Sequence, residues 1–241
     1  MNLEPADGPV GHRTARRLLI MLIFGDATFG TLHVVNEHTA LLGDPRFDIG
    51  LDRGYPEIYQ YLKYLWAGMI LTLHSFRRAA WPYLSWASVF AYFLIDDAVR
   101  IRERFAGRVT ANFDLIPILN LRLQDYGEMI IAATAALLLL IPLGWTYHKG
   151  PTTFRKFSQT LFVMVLMLVF LGVLVDVGHV AIERHVGEAI FFVVGMIEDL
   201  GEMLVASMML WYVFAQSRTQ FASPPGPKLW LKRLFSRTQW T

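Results

Sequence analysis

Apolar residues along the chain gather into six runs separated by polar breaks: Leu18–Val35, Ile58–Leu73, Ala79–Ile95, Met129–Tyr147, Leu161–Val175 and Ala189–Ala215. A helix needs roughly 20 apolar residues to cross ~30 Å of hydrocarbon. Each run meets or nearly meets that length, and the last is long enough to tilt or to project beyond the bilayer. The first run follows the basic segment His12–Arg17 and so resembles a signal peptide. Asp26 interrupts it, however, and no small-x-small cleavage site closes it, so a retained first helix is expected. The pattern predicts an all-α, polytopic membrane helical bundle with about six transmembrane helices. Its expected parts are a cytoplasmic N-terminal segment (1–16), a six-helix membrane domain (17–216) and a cytoplasmic basic amphipathic tail (217–241).

Composition fits this picture. Hydrophobic residues make up 54% of the 241 and charged residues 17%, which a soluble domain of this length rarely shows. Without cysteine there are no disulfides, thiolate metal sites or covalent c-type haem. Charge then sets the topology. With the N-terminus inside, thirteen of the 22 basic residues fall in inner segments, and of the acidic residues only Glu4 and Asp7 do. Basic residues at short connections stay cytoplasmic, so both termini are expected inside a bacterial-type inner membrane. Trp81 and Tyr83, Trp145 and Tyr147, and Trp211 and Tyr212 fall at the inner helix ends, where amphipathic rings are favoured. The tail Lys228–Arg237 follows the break Ser223–Pro227 and suits a short amphipathic helix on an anionic leaflet.

Internal similarity is the next signal. Asp96 to Gly107 and Asp176 to Gly187 both read Asp, six residues, Glu-Arg, two residues, Gly. Gln124-Asp125-Tyr126-Gly127-Glu128-Met129 matches Glu198-Asp199-Leu200-Gly201-Glu202-Met203, and the order is kept. Asp26, His33 and Glu57 echo the pattern more faintly. Three repeated hairpins follow, at about 17–75, 79–148 and 158–216.

Residues seven apart lie near one face of a helix. On a continuous helix Asp96 and Glu103 share a face, as do Asp176, His179 and Glu183, while Glu198 and Glu202 are i,i+4. Charges at this depth are costly facing lipid, so they must face the bundle interior, water or one another. Three readings compete. In the first, a divalent metal ion sits on carboxylates and His drawn from Asp176, His179, Glu183, Glu198, Asp199, Glu202, Asp96, Glu103, Glu128, Asp26, His33 and Glu57, as facing helices build carboxylate metal sites. In the second, these acids carry protons or cations along a polar path. In the third they are structural: Asp96–Arg100 and the Glu103–Arg104 and Glu183–Arg184 dipeptides knit ion pairs, with Lys63, Arg100 and Arg184 as partners. A haem b between His33 and His179 has no second pair behind it and is not expected. A Schiff-base role for Lys63 has no supporting context.

The outer connection Arg100–Gln124 is the largest segment outside the membrane, and its apolar stretch Phe113–Leu121 is too short to span it. That stretch is expected on the outer surface or as a lid. The stretch Leu42–Tyr55 reads as loop, and its Asp44, Asp48 and Asp52 lack EF-hand spacing. No Ser-His-Asp set, phosphate-binding Gly loop or zinc-protease pair is present, and nothing suggests nucleic-acid binding.

The element Asp96-Asp97 to Glu103, followed by Glu198-Asp199-Leu200-Gly201-Glu202-Met203, resembles a pattern in uncharacterised bacterial multi-pass membrane proteins. Where those carry His before the Glu, this chain has Arg102, which argues against a metal at the first element. The resemblance covers two short motifs and implies no known activity. The working expectation is cation binding, a divalent metal first, at an outward-facing carboxylate cluster centred on the third hairpin. If the protein is an enzyme, a membrane metalloenzyme acting on a lipid-soluble substrate is expected. The alternatives are an accessory or structural subunit of a larger membrane complex, or a proton- or cation-coupled transporter. Expected partners are the lipid bilayer and other membrane proteins, or a second copy of the chain.

Overall fold

The computed structural model describes residues 9–39, 41–78, 80–111, 122–175 and 187–219. Within them the chain forms seven α-helices: α1 (Pro9–His38), α2 (Tyr55–Arg78), α3 (Pro82–Val99), α4 (Ile101–Thr110), α5 (Leu123–Lys149), α6 (Thr152–Val169) and α7 (Glu188–Thr219). Three helical segments are long and apolar enough to cross a membrane: Gly11–His38, Leu123–Lys149 and Thr152–Gly172. The other long helices carry charge within their length, as Lys63 on α2, Asp96 and Asp97 on α3, and Glu198, Asp199 and Glu202 on α7.

Local chemistry sets the helix boundaries. Pro82 stands in the first turn of α3, where its missing N–H costs nothing. Arg77 and Arg78 end α2, placing positive charge at its negative pole. After α5 the turn is two residues, Gly150-Pro151. The Arg155 side chain donates to the free carbonyls of Tyr147 (3.1 Å) and His148 (2.7 Å), closing the end of α5. Beyond α6 the helix widens into a π-helical turn, Phe170–Val175.

The core lies between α2, α3, α6 and α7, around Ala67, Leu71, Trp86, Phe90, Phe157, Leu161, Met209 and Val213. Trp86 Nε1 donates to Ser158 Oγ at 2.9 Å, so the indole enters the core without leaving its N–H unpaired. The opposite surfaces are apolar as well: Met21 and Phe24 on α1, Leu137, Leu138, Ile141 and Trp145 on α5, and Val163 and Phe170 beyond are all exposed. Apolar surface on this scale requires an apolar environment or a partner.

The second and third expected hairpins pack within themselves, α3 and α4 on α5 and α6 on α7, while the first does so least. Helix α1 lies along α7 rather than α2, and α2 is held between α3 and α7. Two further differences from the sequence reading concern the segment after α3. First, the connection at Arg100–Gln124 contains a helix of its own, since residues Ile101–Thr110 form α4 and pack tightly on α5. A Cβ at Gly127 would lie 2.5 Å from the Ala106 carbonyl oxygen, so glycine is what lets these two backbones meet. Second, α3 and α4 are not one helix, because Arg100 takes a left-handed conformation (φ 57°, ψ 53°) and breaks it. Asp96 and Glu103 therefore do not share the face of a continuous helix. The expected Asp96–Arg100 pair does not form either. Asp96 meets Arg102, while Arg100 turns to Asp52 and Glu103.

The loop at Leu42–Tyr55 holds one 3-10 turn, Pro45–Phe47. The Arg46 backbone N–H donates to Asp44 Oδ1 at 3.0 Å, and this bond holds the Asp44 carboxyl below its ordinary value. The expected lid at Phe113–Leu121 and the tail Lys228–Arg237 lie outside the described residues.

Candidate functional site

Two polar centres stand out among the described residues. The deeper one joins α1, α2 and α7. Lys63 Nζ donates to Asp26 Oδ1 at 2.5 Å and to the Met203 carbonyl at 2.9 Å, and it lies 4.3 Å from the centre of the Tyr59 ring. Ser207 Oγ donates to the other Asp26 oxygen at 2.6 Å. Asp26 and Ser207 are wholly buried, and Lys63 is 1% exposed. Each charge thus finds its opposite and at least one further hydrogen bond, which a buried pair needs to offset desolvation. The neighbouring backbone is shaped for it. A Cβ on Gly25 would overlap the Tyr59 ring, whose hydroxyl donates to the Leu22 carbonyl at 3.3 Å.

The second centre is a pocket of about 90 Å³ at the end of the bundle where α2 begins and α3 gives way to α4. Its walls are Asp52, Glu57, Asp96, Asp97, Arg100, Arg102, Glu103 and Glu128. The charges are unequal: six carboxylates meet two guanidinium groups. Arg102 Nε donates to Asp96 Oδ2 at 2.5 Å, its backbone N–H reaches Asp96 Oδ1 at 3.3 Å, and its Nη2 stands 3.9 Å from Asp97. Burial works against the charged Arg102, yet the two aspartates outweigh it and raise its pKa. Arg100 Nη2 meets Asp52 at 2.9 Å and also pairs with Glu103, whose hydrogen bond raises the Arg100 pKa. Glu57 accepts from the Arg53 backbone N–H, and Glu128 accepts from Gln124 Nε2 at 2.9 Å. Tyr61, one turn beyond Glu57, donates to the Asp97 carbonyl at 3.2 Å.

Glu202 lies between the two centres, one residue before Met203 and five before Ser207 on α7. Its carboxylate feels the charges of Asp199, Asp97 and Arg102. It faces Gly172 in the π-helical turn, where a Cβ would collide with Glu202 Oε1. Such turns recur at functional sites because they displace the helix register locally. On the other side Tyr64, fully buried, accepts from Gln60 Nε2 at 3.1 Å and lies within the field of Asp97 and Glu202.

The structure sorts the candidate residues unevenly. It gathers Glu57, Asp96, Glu103, Glu128 and Arg100 in one pocket, and it pairs Asp26 with Lys63 elsewhere. His33 lies near neither. Its Nδ1 accepts from the Ile49 N–H at 3.3 Å, so the Asp48 oxygen at the same distance is not an ion pair in that tautomer. Its ring stacks on Phe192 with centroids 5.3 Å apart. Glu198 and Asp199 stand on α7 one turn before Glu202. Asp176, His179, Glu183 and Arg184, the expected centre of the third hairpin, lie outside the described residues. Among the described residues no group of three or more His, Asp or Glu side chains could by itself hold a metal ion. Ser207 and Gly172 escaped the sequence reading, since a serine or glycine inside an apolar run carries no signal of what it faces. Asp52 was legible only as a loop acid.

A family model described as Domain of unknown function (DUF8692) matches residues 30–217. No curated protein and no solved structure matches the chain. All of the pocket lies within the matched residues, whereas Asp26 precedes them.

Proposed function

The chain belongs to the DUF8692 family, of unknown function, and on the geometry of its polar centres we propose that it is a multi-pass membrane protein that binds a divalent cation in the carboxylate pocket. In this reading α1, α2, α3, α5, α6 and α7 are the six spans of a bacterial-type inner membrane, and the pocket opens at the outer face. Support for the spans comes from three helical segments of sufficient length and hydropathy and from the apolar exteriors of α1 and α5. Charged stretches of α2, α3 and α7 turn toward one another, as intramembrane charges must.

The observation that carries the cation reading is the excess of four carboxylates over guanidinium groups in a small, mostly closed space. Like charges this close raise one another's energy until a proton or a metal ion neutralises them. Every potential ligand in the pocket is oxygen, which suits a hard ion such as Mg²⁺ or Ca²⁺ better than Zn²⁺ or Cu²⁺. Mg²⁺ is the better fit, because it keeps several of its waters and needs only one or two carboxylates directly.

The test is calorimetric titration of Mg²⁺ into protein purified in mild detergent after chelator treatment, with Glu57→Gln and Asp97→Asn beside the wild type. Saturable binding near one ion per chain, weakened in both variants, is the expected result. A wild type that binds no divalent ion while its thermal stability rises steeply toward acid would assign the neutralising charge to protons and overturn the metal reading.

A further inference from the structure

A second pocket lies beside the carboxylate pocket and shares its Arg100–Glu103 wall, but its charge has the opposite sign. It has a volume of about 360 Å³, opens to the surface, and is lined by Arg53, Arg100, Glu103, Arg104 and Gln124. Three guanidinium groups thus meet one carboxylate. That carboxylate is already engaged by Arg100. Neither the Arg53 nor the Arg104 side chain has an ion-pair partner among the described residues, and Arg100 Nε is buried with no hydrogen-bond partner there.

The backbone beneath these side chains is unusual as well. Among the described residues only two other than glycine have positive φ, Arg53 (60°) and Arg100 (57°), and both line this pocket. Left-handed backbone is costly for a residue with a Cβ and persists only where its surroundings hold it. Here the Arg53 N–H is tied to the Glu57 carboxylate, and the Arg100 N–H donates to the Asp96 carbonyl at 2.7 Å. Two unrelated loops therefore each hold an arginine in a strained conformation at the same cavity. An ordinary solvated surface requires neither the strain nor its convergence. The start of α4 lies at Arg100, adding the positive end of a ten-residue helix.

We propose that this pocket binds a phosphate group, held by the forked donors of Arg53 and Arg104 beside Arg100, which is paired with Asp52 and Glu103. Planar guanidinium groups match phosphate oxygens in pairs, which single lysines do not. The phosphate is either free inorganic phosphate or the phosphodiester of an anionic lipid headgroup, since both present the same oxygens. This site does not depend on the cation reading, because neither Arg53 nor Arg104 lines the carboxylate pocket, and the bond from Arg53 to Glu57 comes from its backbone N–H, which Arg53→Asn keeps.

The experiment uses the full chain in nanodiscs of phosphatidylcholine alone, titrated calorimetrically with inorganic phosphate, and in nanodiscs containing phosphatidylglycerol, examined for retained lipid by native mass spectrometry. The variants are Arg53→Asn, which keeps the left-handed backbone accessible, and Arg104→Gln. Arg108→Gln, on α4 but outside the pocket, removes an equal charge as a control. Free phosphate as the ligand would give saturable binding in phosphatidylcholine discs, weakened about tenfold or more by each pocket variant and unchanged by the control. A lipid headgroup would instead give retained phosphatidylglycerol lost in both pocket variants. No phosphate binding and no retained lipid, or equal losses in Arg108→Gln, would overturn the site. Mg²⁺ affinity measured in the same variants separates the two pockets, since it should not change.

Discussion

Among the described residues Lys63 is the one cation paired with Asp26, whose wholly buried carboxylate is otherwise bonded there to Ser207 Oγ at 2.6 Å, and replacing Lys63 by Met removes that cation. The new side chain fills much of the same volume, so packing changes little and the electrostatic loss dominates. Breaking a buried pair by removing one partner costs about 3–5 kcal/mol. The Met203 carbonyl also loses an acceptor bond of 2.9 Å, although it keeps its place in the helix. For a chain of this size about 3–5 kcal/mol corresponds to a fall in Tm of roughly 6–20 °C. The informative comparison is the pair Lys63→Met with Asp26→Leu. Replacing both partners by apolar groups is often neutral or stabilising by about 1–4 kcal/mol. The freed Ser207 hydroxyl can then bond the Met203 carbonyl four residues back on α7, which the loss of Lys63 has vacated. Each single variant should therefore be strongly destabilised and the double variant should recover most of the loss. Thermal unfolding in detergent, followed by tryptophan fluorescence and analysed as a double-mutant cycle, measures this directly. Additive losses, or a Lys63→Met variant as stable as the wild type, would show that the two charges are not coupled in the folded protein.

Two further substitutions probe the packing that shapes the pocket. Gly127→Ala places a methyl group 2.5 Å from the Ala106 carbonyl oxygen, and since backbone cannot swing aside, α4 must lift from α5. Faster hydrogen exchange across Ile101–Thr110 is expected, with Mg²⁺ and phosphate binding both reduced, and unchanged exchange there would count against the close approach. Gly172→Ala drives a methyl into Glu202 Oε1, the mobile end of a side chain, so the cost should be modest, about 1–3 kcal/mol. Adding Glu202→Ala should restore the wild-type Tm, whereas a loss that persists would place the strain in the π-helical turn itself.

Much of this molecule was legible in the sequence, for local reasons. Apolar run length predicted long helices near each of the six stretches, because a run of that length must be buried in lipid or protein whatever surrounds it. The same reading found that acids collect near particular helix ends, and Glu57, Asp96, Glu103 and Glu128 do meet in one pocket. It failed where an assumption about local continuity failed. The seven-residue spacing from Asp96 to Glu103 presumed a single helix, and Arg100 breaks it. An arginine in left-handed backbone cannot be foreseen from its neighbours alone, because a tertiary bond to Asp52, 48 residues earlier, joins the local one to Glu103 in holding its side chain.

Partner choice was decided by the tertiary structure alone. The sequence marked Lys63 as needing an acid, but it offered many, and it gave no reason to select Asp26, 37 residues earlier, or to add Ser207, 181 residues beyond Asp26. Helical periodicity fixes which residues share a face of one helix. It does not fix how that helix is rotated or how deep it sits against the next. Those two quantities follow from close contacts such as Gly25 against Tyr59 and Gly127 against Ala106, and they determine which charges meet.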